Sequence, residues 1–278
     1  MPVQRHYKPR KRIKQRKRFF WVFFFIFIII FIYSVFRVTV WIIDSMNISK
    51  LLTSINQNTQ ISEVDGRQGQ QFNPPQDKFD PYWDYINTNL LDVNLDELTK
   101  INQQTKGWVQ IKGTNINYPF VQAEDNNYYL NHSFSKKYNQ AGWIFLDYRN
   151  NIDSLGENTI LYGHGRVGNT MFGTLKNIVK SSWYSNKENH LIRVSSHKHN
   201  SLWQVFSVYQ IDTTNDYLQT SFSKEKDFSE FLDMIRSRSE LNFNTSTNYK
   251  DKILTLSTCL NSSKKTVMHA KLINIQYK

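Results

Sequence analysis

Apolar residues recur differently in four stretches of the chain. Residues 1–18, MPVQRHYKPRKRIKQRKR, contain no apolar run. Residues 19–43 are nearly unbroken: FFWVFFFIFIIIFIYSVF carries no charge, and after Arg37 the apolar stretch continues to Ile43. A helix of that length reaches about 37 Å, enough to cross a bilayer with some tilt. Residues 44–80 are polar and rich in Gln, Asn and Ser, which predicts a stalk, partly disordered or loosely helical. From residue 81 the pattern first turns helical, with Asn94 and Glu97 spaced as a capping box ahead of Leu98 and Ile101. From Gly107 it becomes a series of short strands: GWVQI, YPFVQ, GWIFLDY, NTILYGH, HLIRVS, LWQVFSVYQI, KILTLSTC and VMHAKLINI. Helical spacing returns twice, in TMFGTLKNIV and EKDFSEFLDMIRSRSEL. About eight strands and few helices predict a mainly β domain of the α+β class, a closed or nearly closed β-barrel preceded by N-terminal helices.

Charge changes the picture at one end only. The formal net charge is +12, but residues 1–18 hold nine Lys/Arg and no acid, leaving 26 basic against 23 acidic residues elsewhere. A balance of about +3 excludes nucleic acid as the partner of the body. The basic head and apolar helix together predict a single-pass anchor in the cell membrane. The head stays in the cytoplasm and residues 44–278 face outside. Trp21 and Trp41 lie near the two ends of the span, and Arg37 can snorkel to the interface. No small-x-small cleavage site follows the apolar run, so the segment reads as an anchor and not as a signal peptide. The expected domains are a cytoplasmic head (1–18), a transmembrane anchor (19–43), a stalk (44–80) and a folded domain (81–278).

The chain has one cysteine, so no internal disulfide is possible. Outside the cell an idle thiol is an oxidation liability, which raises the question of what Cys259 does. In KILTLSTC the odd positions Ile253, Thr255, Ser257 and Cys259 share one strand face, and the thiol comes at the strand end. A thiol with an ordinary pKa of about 8.5 is little ionised at neutrality and needs a nearby base. Among seven histidines, His6 lies in the head, His197 and His199 in a predicted hairpin loop, and His132 and His190 in polar loops. His164 ends the strand TILYGH and opens the turn GHGRVGN, so it too is a strand-end residue. Attack by a thiolate on a carbonyl also requires a cation or N–H groups for the oxyanion. Lys264 and Lys265 follow the thiol in sequence.

The motifs GWVQIKGTNINYPFVQ, DNNYYLNHSF, AGWIFLDYRN, LYGHGRVGNTMFGTL and LTLSTC, followed by VMHAKLI, resemble those of class B sortases, in the same order over about residues 80–278. The resemblance implies a sortase-type eight-stranded β-barrel and a cysteine transpeptidase, a thiol protease in its first half-reaction, of the Gram-positive cell surface. Such enzymes cleave a C-terminal sorting signal of a secreted protein, hold the new carboxyl as a thioester, and pass it to an amine of the peptidoglycan precursor. It makes Cys259 the nucleophile and His164 the general acid, then base. The family's third catalytic residue is an arginine after the cysteine. Here the matching position is Lys265, with Arg166, Arg149 or backbone N–H groups as the other candidates. It assigns a substrate groove to Asn126, Leu130, Thr213, Tyr217, Leu218, Ser257 and Thr258. It implies no cofactor and no metal. A pilin-polymerising sortase, a plain cysteine protease and a degenerate barrel used as a binding module are the rival functions.

Overall fold

The computed structural model describes residues 11–166, 168–212, 214–258 and 264–278, which form two compact units, residues up to 47 and residues 48–278. Thr213 and Cys259, expected in the groove and as the nucleophile, lie outside the described residues.

The first unit is the greater part of helix α1 (Lys11–Asn58). Its apolar side chains are exposed, Phe19, Phe23, Ile29 and Phe36 among them. It is long and apolar enough to cross a membrane.

The second unit begins within α1, where Ile48 and Ile55 are buried. Of residues 44–80, expected as a stalk, partly disordered or loosely helical, those up to Asn58 are helical and the rest carry two short strands and a 3₁₀ turn. Strand β1 (Ile61–Val64) pairs with β3 (Leu90–Val93), and β2 (Gln70–Gln71) pairs with the long last strand. The apolar residues that a composition average hides are the ones that dock this segment. Between β2 and β3, α2 (Tyr82–Tyr85) packs Tyr82 and Tyr85 with Ile86 and Leu90 against Leu191, Leu202 and Ile273 on the barrel exterior. Helix α3 (Asp96–Ile101) follows. The capping box expected there is not formed. Asn94 Oδ1 does accept from the Asp96 N–H at 2.9 Å, but Glu97 pairs with Lys100 instead.

The barrel strands come where the sequence pattern put them: β4 (Thr105–Ile111), β5 (Asn117–Val121), β6 (Phe145–Leu146), β7 (Asn158–Gly163), β8 (Leu191–Ser196), β9 (His199–Asp212), β10 (Ile253–Thr258) and β11 (Lys264–Tyr277). Their order is β10-β7-β6-β5-β4-β8-β9-β11, and β11 pairs again with β10, so eight strands close on themselves. Trp108, Phe120, Trp143, Phe145 and Trp203 are fully buried in the main core. Closure needs bent strands, and the β9–β11 ladder supplies register shifts at His269/Ala270 and Leu272/Asn274.

Of the two expected helices, TMFGTLKNIV contains only a short 3₁₀ turn, Gly173–Asn177. The second is α5 (Glu225–Ser237), preceded in chain order by the short α4 (Ser181–Tyr184). Phe228, Phe231, Leu232 and Ile235 of α5 recur at helical spacing and pack with Phe206, Ile253 and Val267. His199, expected in a hairpin loop, is instead a buried strand residue whose Nε2 donates to the Ile152 carbonyl.

A buried charge cluster ties the N-terminal segment to the barrel. Lys271 on β11 is 2% exposed, donates to the Ser246 carbonyl at 2.7 Å, stands 4.0 Å from Asp80 and lies over the Tyr82 ring. Asp80 accepts from Ser246 and Tyr82; burial alone would raise its pKa, and these bonds outweigh it. Burial pushes the Asp251 carboxyl up and the Lys271 ammonium down. Replacing Lys271 by Met strands two buried carboxylates without their cation. Urea unfolding should show a loss of about 3–5 kcal/mol, and an unchanged midpoint would contradict this role.

Candidate active site

The site is set by one pairing. β7 and β10 run parallel, with Tyr162 opposite Ser257 and Gly163 opposite Thr258. His164 is the next residue after Gly163, and Cys259 is covalently bonded to Thr258. The residues preceding the two chemical candidates are therefore partners at the same end of the barrel. The tight strand end depends on glycine: a Cβ on Gly163 would sit 2.8 Å from the Phe172 ring.

His164 is held from both its backbone and its ring. Its carbonyl accepts from the Arg166 and Phe172 N–H groups at 3.1 and 3.0 Å. Its Nε2 lies 2.6 Å from the Leu130 carbonyl oxygen. A carbonyl only accepts, so Nε2 carries the proton, and in the neutral ring the lone pair is on Nδ1. Burial pushes the pKa of His164 below its ordinary value, opposed by the bond to Leu130 and aided by the Arg166 charge. Gly142 makes room for the ring. It has φ +59°, and a Cβ there would lie 2.5 Å from the Tyr129 oxygen, 2.7 Å from the Leu130 oxygen and 3.0 Å from His164 Cδ2.

A cleft of about 350 Å³ opens at this end. Asn126, Asn127 and Leu130 form one side, Asn215 and Leu218 another, and Phe145, Arg149, Tyr162, Ser257, Thr258 and Lys265 complete it. Of the groove residues expected from sequence, Asn126, Leu130, Leu218, Ser257 and Thr258 thus come together around one cavity. Tyr217 does not line it. Its ring is fully buried behind the wall, where its hydroxyl meets Ser257 Oγ at 2.9 Å. Lys265 is 2% exposed; its Nζ donates to the Thr214 carbonyl at 3.3 Å and lies 5.7 Å from the centre of the Tyr217 ring.

Sequence reasoning missed a carboxylate at the heart of one wall. Asp147 is fully buried and accepts from Arg149 Nε and Nη2 at 2.8 and 2.7 Å, from Tyr162 Oη at 2.9 Å and from Asn126 Nδ2 at 3.0 Å. Burial would raise its pKa; the Arg149 and Tyr162 bonds override that and hold it low. Burial, then the Asp147 charge, push the Tyr162 phenol far up, so it is a neutral donor. Arg149 also donates to the Leu218 carbonyl at 2.9 Å. Its guanidinium is therefore occupied in joining two walls. Tyr162 could have been found by alternation, because it lies two residues before His164 on the same strand face. Asp147 carried no such signal.

The wall segment 214–219 has no regular secondary structure, and side chains from barrel strands, from the loop after β6 and from the end of α5 hold it. Besides Lys265 and Arg149, Asn158 Nδ2 donates to the Gln219 carbonyl at 2.7 Å, and Arg238 pairs with Asp216 through two bonds of 2.8 and 2.6 Å. Among the described residues no group of three His, Cys, Asp or Glu side chains could hold a metal ion.

A sortase domain model matches residues 109–273, more than half of the chain. The chain belongs to the sortase family. Its relatives are of class B. It is 38% identical to Sortase B of Staphylococcus aureus over 185 residues, 65% of this chain and 75% of that protein. It is 35% identical to Sortase B of Listeria monocytogenes over 165 residues, 59% of this chain and 66% of that one. A crystal structure of Staphylococcus aureus Sortase B superposes with a TM-score of 0.62 at 37% identity, covering 66% of this chain and 87% of that one. The fold, an eight-stranded sortase barrel, and the activity class, a cysteine transpeptidase that anchors proteins to the cell wall, follow from that membership.

In this sortase, Gly142→Ala should impair the site as well as strain the backbone. The added methyl presses on the His164 ring and on the carbonyl that orients it. Transpeptidation should fall at least about tenfold, roughly 1.4 kcal/mol in the barrier. Wild-type activity with the methyl in place would contradict the packing described.

Proposed function

We propose that Cys259 is the nucleophile, His164 the proton-transfer group and Lys265 the cation that stabilises the oxyanion. The observation that supports this most is the parallel pairing of Gly163 with Thr258, with Lys265 lining the cleft at the same barrel end. The Cys259 thiolate attacks the carbonyl carbon of the scissile bond in a sorting signal, and the carbonyl oxygen takes the negative charge. Lys265 Nζ and backbone N–H groups offset that charge. His164 gives a proton from Nδ1 to the departing amine, the C–N bond breaks and a thioester remains. An amine of the peptidoglycan precursor then attacks the thioester. The now neutral Nδ1 takes its proton, and the thiolate leaves. Nδ1 is the nitrogen in play because Nε2 is committed to Leu130.

The donor peptide lies in the cleft between the 126–130 and 215–218 walls, where Asn126, Asn127 and Asn215 offer amides and Leu130, Leu218 and Phe145 offer apolar surface. The basic residues 1–18 remain in the cytoplasm, the 19–43 helix spans the membrane, and the barrel works outside. Attachment of single proteins to peptidoglycan is favoured over polymerisation of pilins, over hydrolysis and over a purely binding role.

Mass spectrometry of a sorting-signal peptide incubated with an added amine tests the reaction itself. An amine adduct is expected, and hydrolysed product alone would sink transpeptidation. Cys259→Ala should abolish turnover and His164→Ala nearly so. Lys265→Ala should cost at least about tenfold in kcat/KM, on the order of 1.4 kcal/mol, while Lys265→Arg should be tolerated. A fully active Lys265→Ala enzyme would remove that residue from the mechanism.

The depressed pKa of His164 fixes the sign of the pH dependence. The reactive pair, thiolate with imidazolium, holds one proton, and at low pH the resting pair holds two. The profile of kcat/KM must therefore rise as one proton is lost and level off above the His164 pKa. It falls again when the second proton goes. The acid limb should bend below pH 6.5, the ordinary histidine value. An acid limb bending at pH 7 or above would contradict the buried environment of the ring.

A further inference from the structure

We infer that His269, buried between the outer face of the barrel wall and α5 and lining no part of the cleft, is a positioning residue for the donor-peptide groove: it links two of the anchors that hold the wall segment 214–219. The inference rests on the proposal that the cleft binds the donor peptide.

The hydrogen bonds around His269 have one consistent direction. Asn158 Nδ2 donates to the Gln219 carbonyl at 2.7 Å and more weakly to that of Tyr217 at 3.4 Å. Its Oδ1 therefore accepts, and it accepts the Thr255 hydroxyl at 2.6 Å. With its proton so committed, Thr255 Oγ1 can only accept from His269 Nδ1, 2.9 Å away. His269 Nδ1 is then the protonated nitrogen, and Nε2 accepts the Tyr209 hydroxyl at 2.9 Å. The Arg238 guanidinium, which clasps Asp216, stands beside the Tyr209 phenol. One end of this chain of contacts reaches the wall at Asp216. The other grips it at the carbonyls of 217 and 219.

Three further observations suit His269 to the task. It is fully buried, and burial pushes its pKa down to about 3, so the ring stays neutral and its single N–H fixes the direction of the chain. It stands at the register shift between His269 and Ala270, where a bulge re-aims side chains. Its ring also lies among Tyr209 and Tyr217, 5.5 and 6.3 Å between centroids, and Tyr217 carries Lys265 on its face. A hydrophobic side chain would fill the same space without joining the two anchors.

Two substitutions cut the chain on opposite sides. His269→Asn keeps an N–H where Nδ1 was and loses Tyr209. His269→Gln keeps an acceptor for Tyr209 and loses Thr255. Both are tested in the full membrane-anchored chain, with an internally quenched sorting-signal peptide as donor and triglycine as acceptor amine. Each should raise the donor KM about fivefold, the worth of one hydrogen bond. The saturated kcat and the triglycine KM should stay within about twofold. Arg238→Gln, at the partly exposed end of the chain, should raise the donor KM similarly. Combined with His269→Asn, it should add little. An unchanged donor KM in the folded His269 variants would overturn the inference. So would a loss spread equally over donor KM, acceptor KM and kcat. If the His269 variants fail to fold, Arg238→Gln alone decides, and an unchanged donor KM there counts against the inference too. Failure of the unmodified chain to form a thioester on Cys259 would instead defeat the underlying function.

Discussion

Everything chemical in this molecule depends on two parallel strands ending together. β7 and β10 are about a hundred residues apart in sequence, yet Thr258 and Gly163 are paired partners in the barrel wall. A parallel pair fixes not only adjacency but phase. Because side chains alternate with period two, a register slip of one residue would turn Tyr162 or Ser257 away from the cleft they share. The burial of both strands along their whole length makes such a slip costly, since each shifted residue would bring a mismatched side chain into the core. The rigidity of the site is thus a property of the barrel and not of the loops that decorate it.

The cleft wall opposite is built by another principle. Segment 214–219 has no ladder of its own, so its carbonyls and one carboxylate are met by side chains from neighbouring elements: Lys265 and Asn158 of barrel strands, Arg149 of the loop after β6 and Arg238 at the end of α5. Three of the four donors are cations. A wall held this way can keep its position while its sequence varies, because what is gripped is mostly backbone. The buried Asp147 performs the complementary service on the near side. It neutralises Arg149 and orients Tyr162 and Asn126 at once. Such a carboxylate is tolerable in a closed core only because each of its oxygens is met by charge-assisted or hydroxyl donors.

The sequence carried much of this in advance, for reasons that can be stated residue by residue. Eight strands were legible because their β-branched and aromatic runs are bounded by Gly, Asn, Asp or Ser, and all eight appear in the barrel. Cleft residues such as Ser257 and Leu130 were legible through the family motifs. What escaped was determined by tertiary contact. The stretch 44–80 looked like a stalk because its apolar residues are sparse, yet Ile48, Ile55, and Tyr82 just beyond it, find buried partners. His199 looked like a hairpin-loop residue and His269 drew no reading within its strand, because polar neighbours hid the burial of both. TMFGTLKNIV has helical spacing, but Gly173 lies against the Arg166 backbone, with 2.3 Å from a would-be Cβ to its carbonyl, and the segment stays a 3₁₀ turn.

On the assignment proposed above, in which Lys265 takes the part of the family's arginine, position and chemistry separate. An arginine aims its charge through a rigid fork; a lysine is a point charge on a flexible stem and relies on its surroundings for direction. Here the surroundings supply it. Lys265 is almost wholly buried, its stem lies in the β9–β11 ladder opposite Ile211, and its ammonium is set between the Thr214 carbonyl and the Tyr217 ring. Both of those belong to the wall segment or its immediate support. A cation so placed is steered by the wall, and the wall is held by Asn158 of β7 and by Arg238 at the end of α5. On that assignment a lysine can do without the fork because packing orients it, and the burden of orientation falls on the residues that keep the wall still.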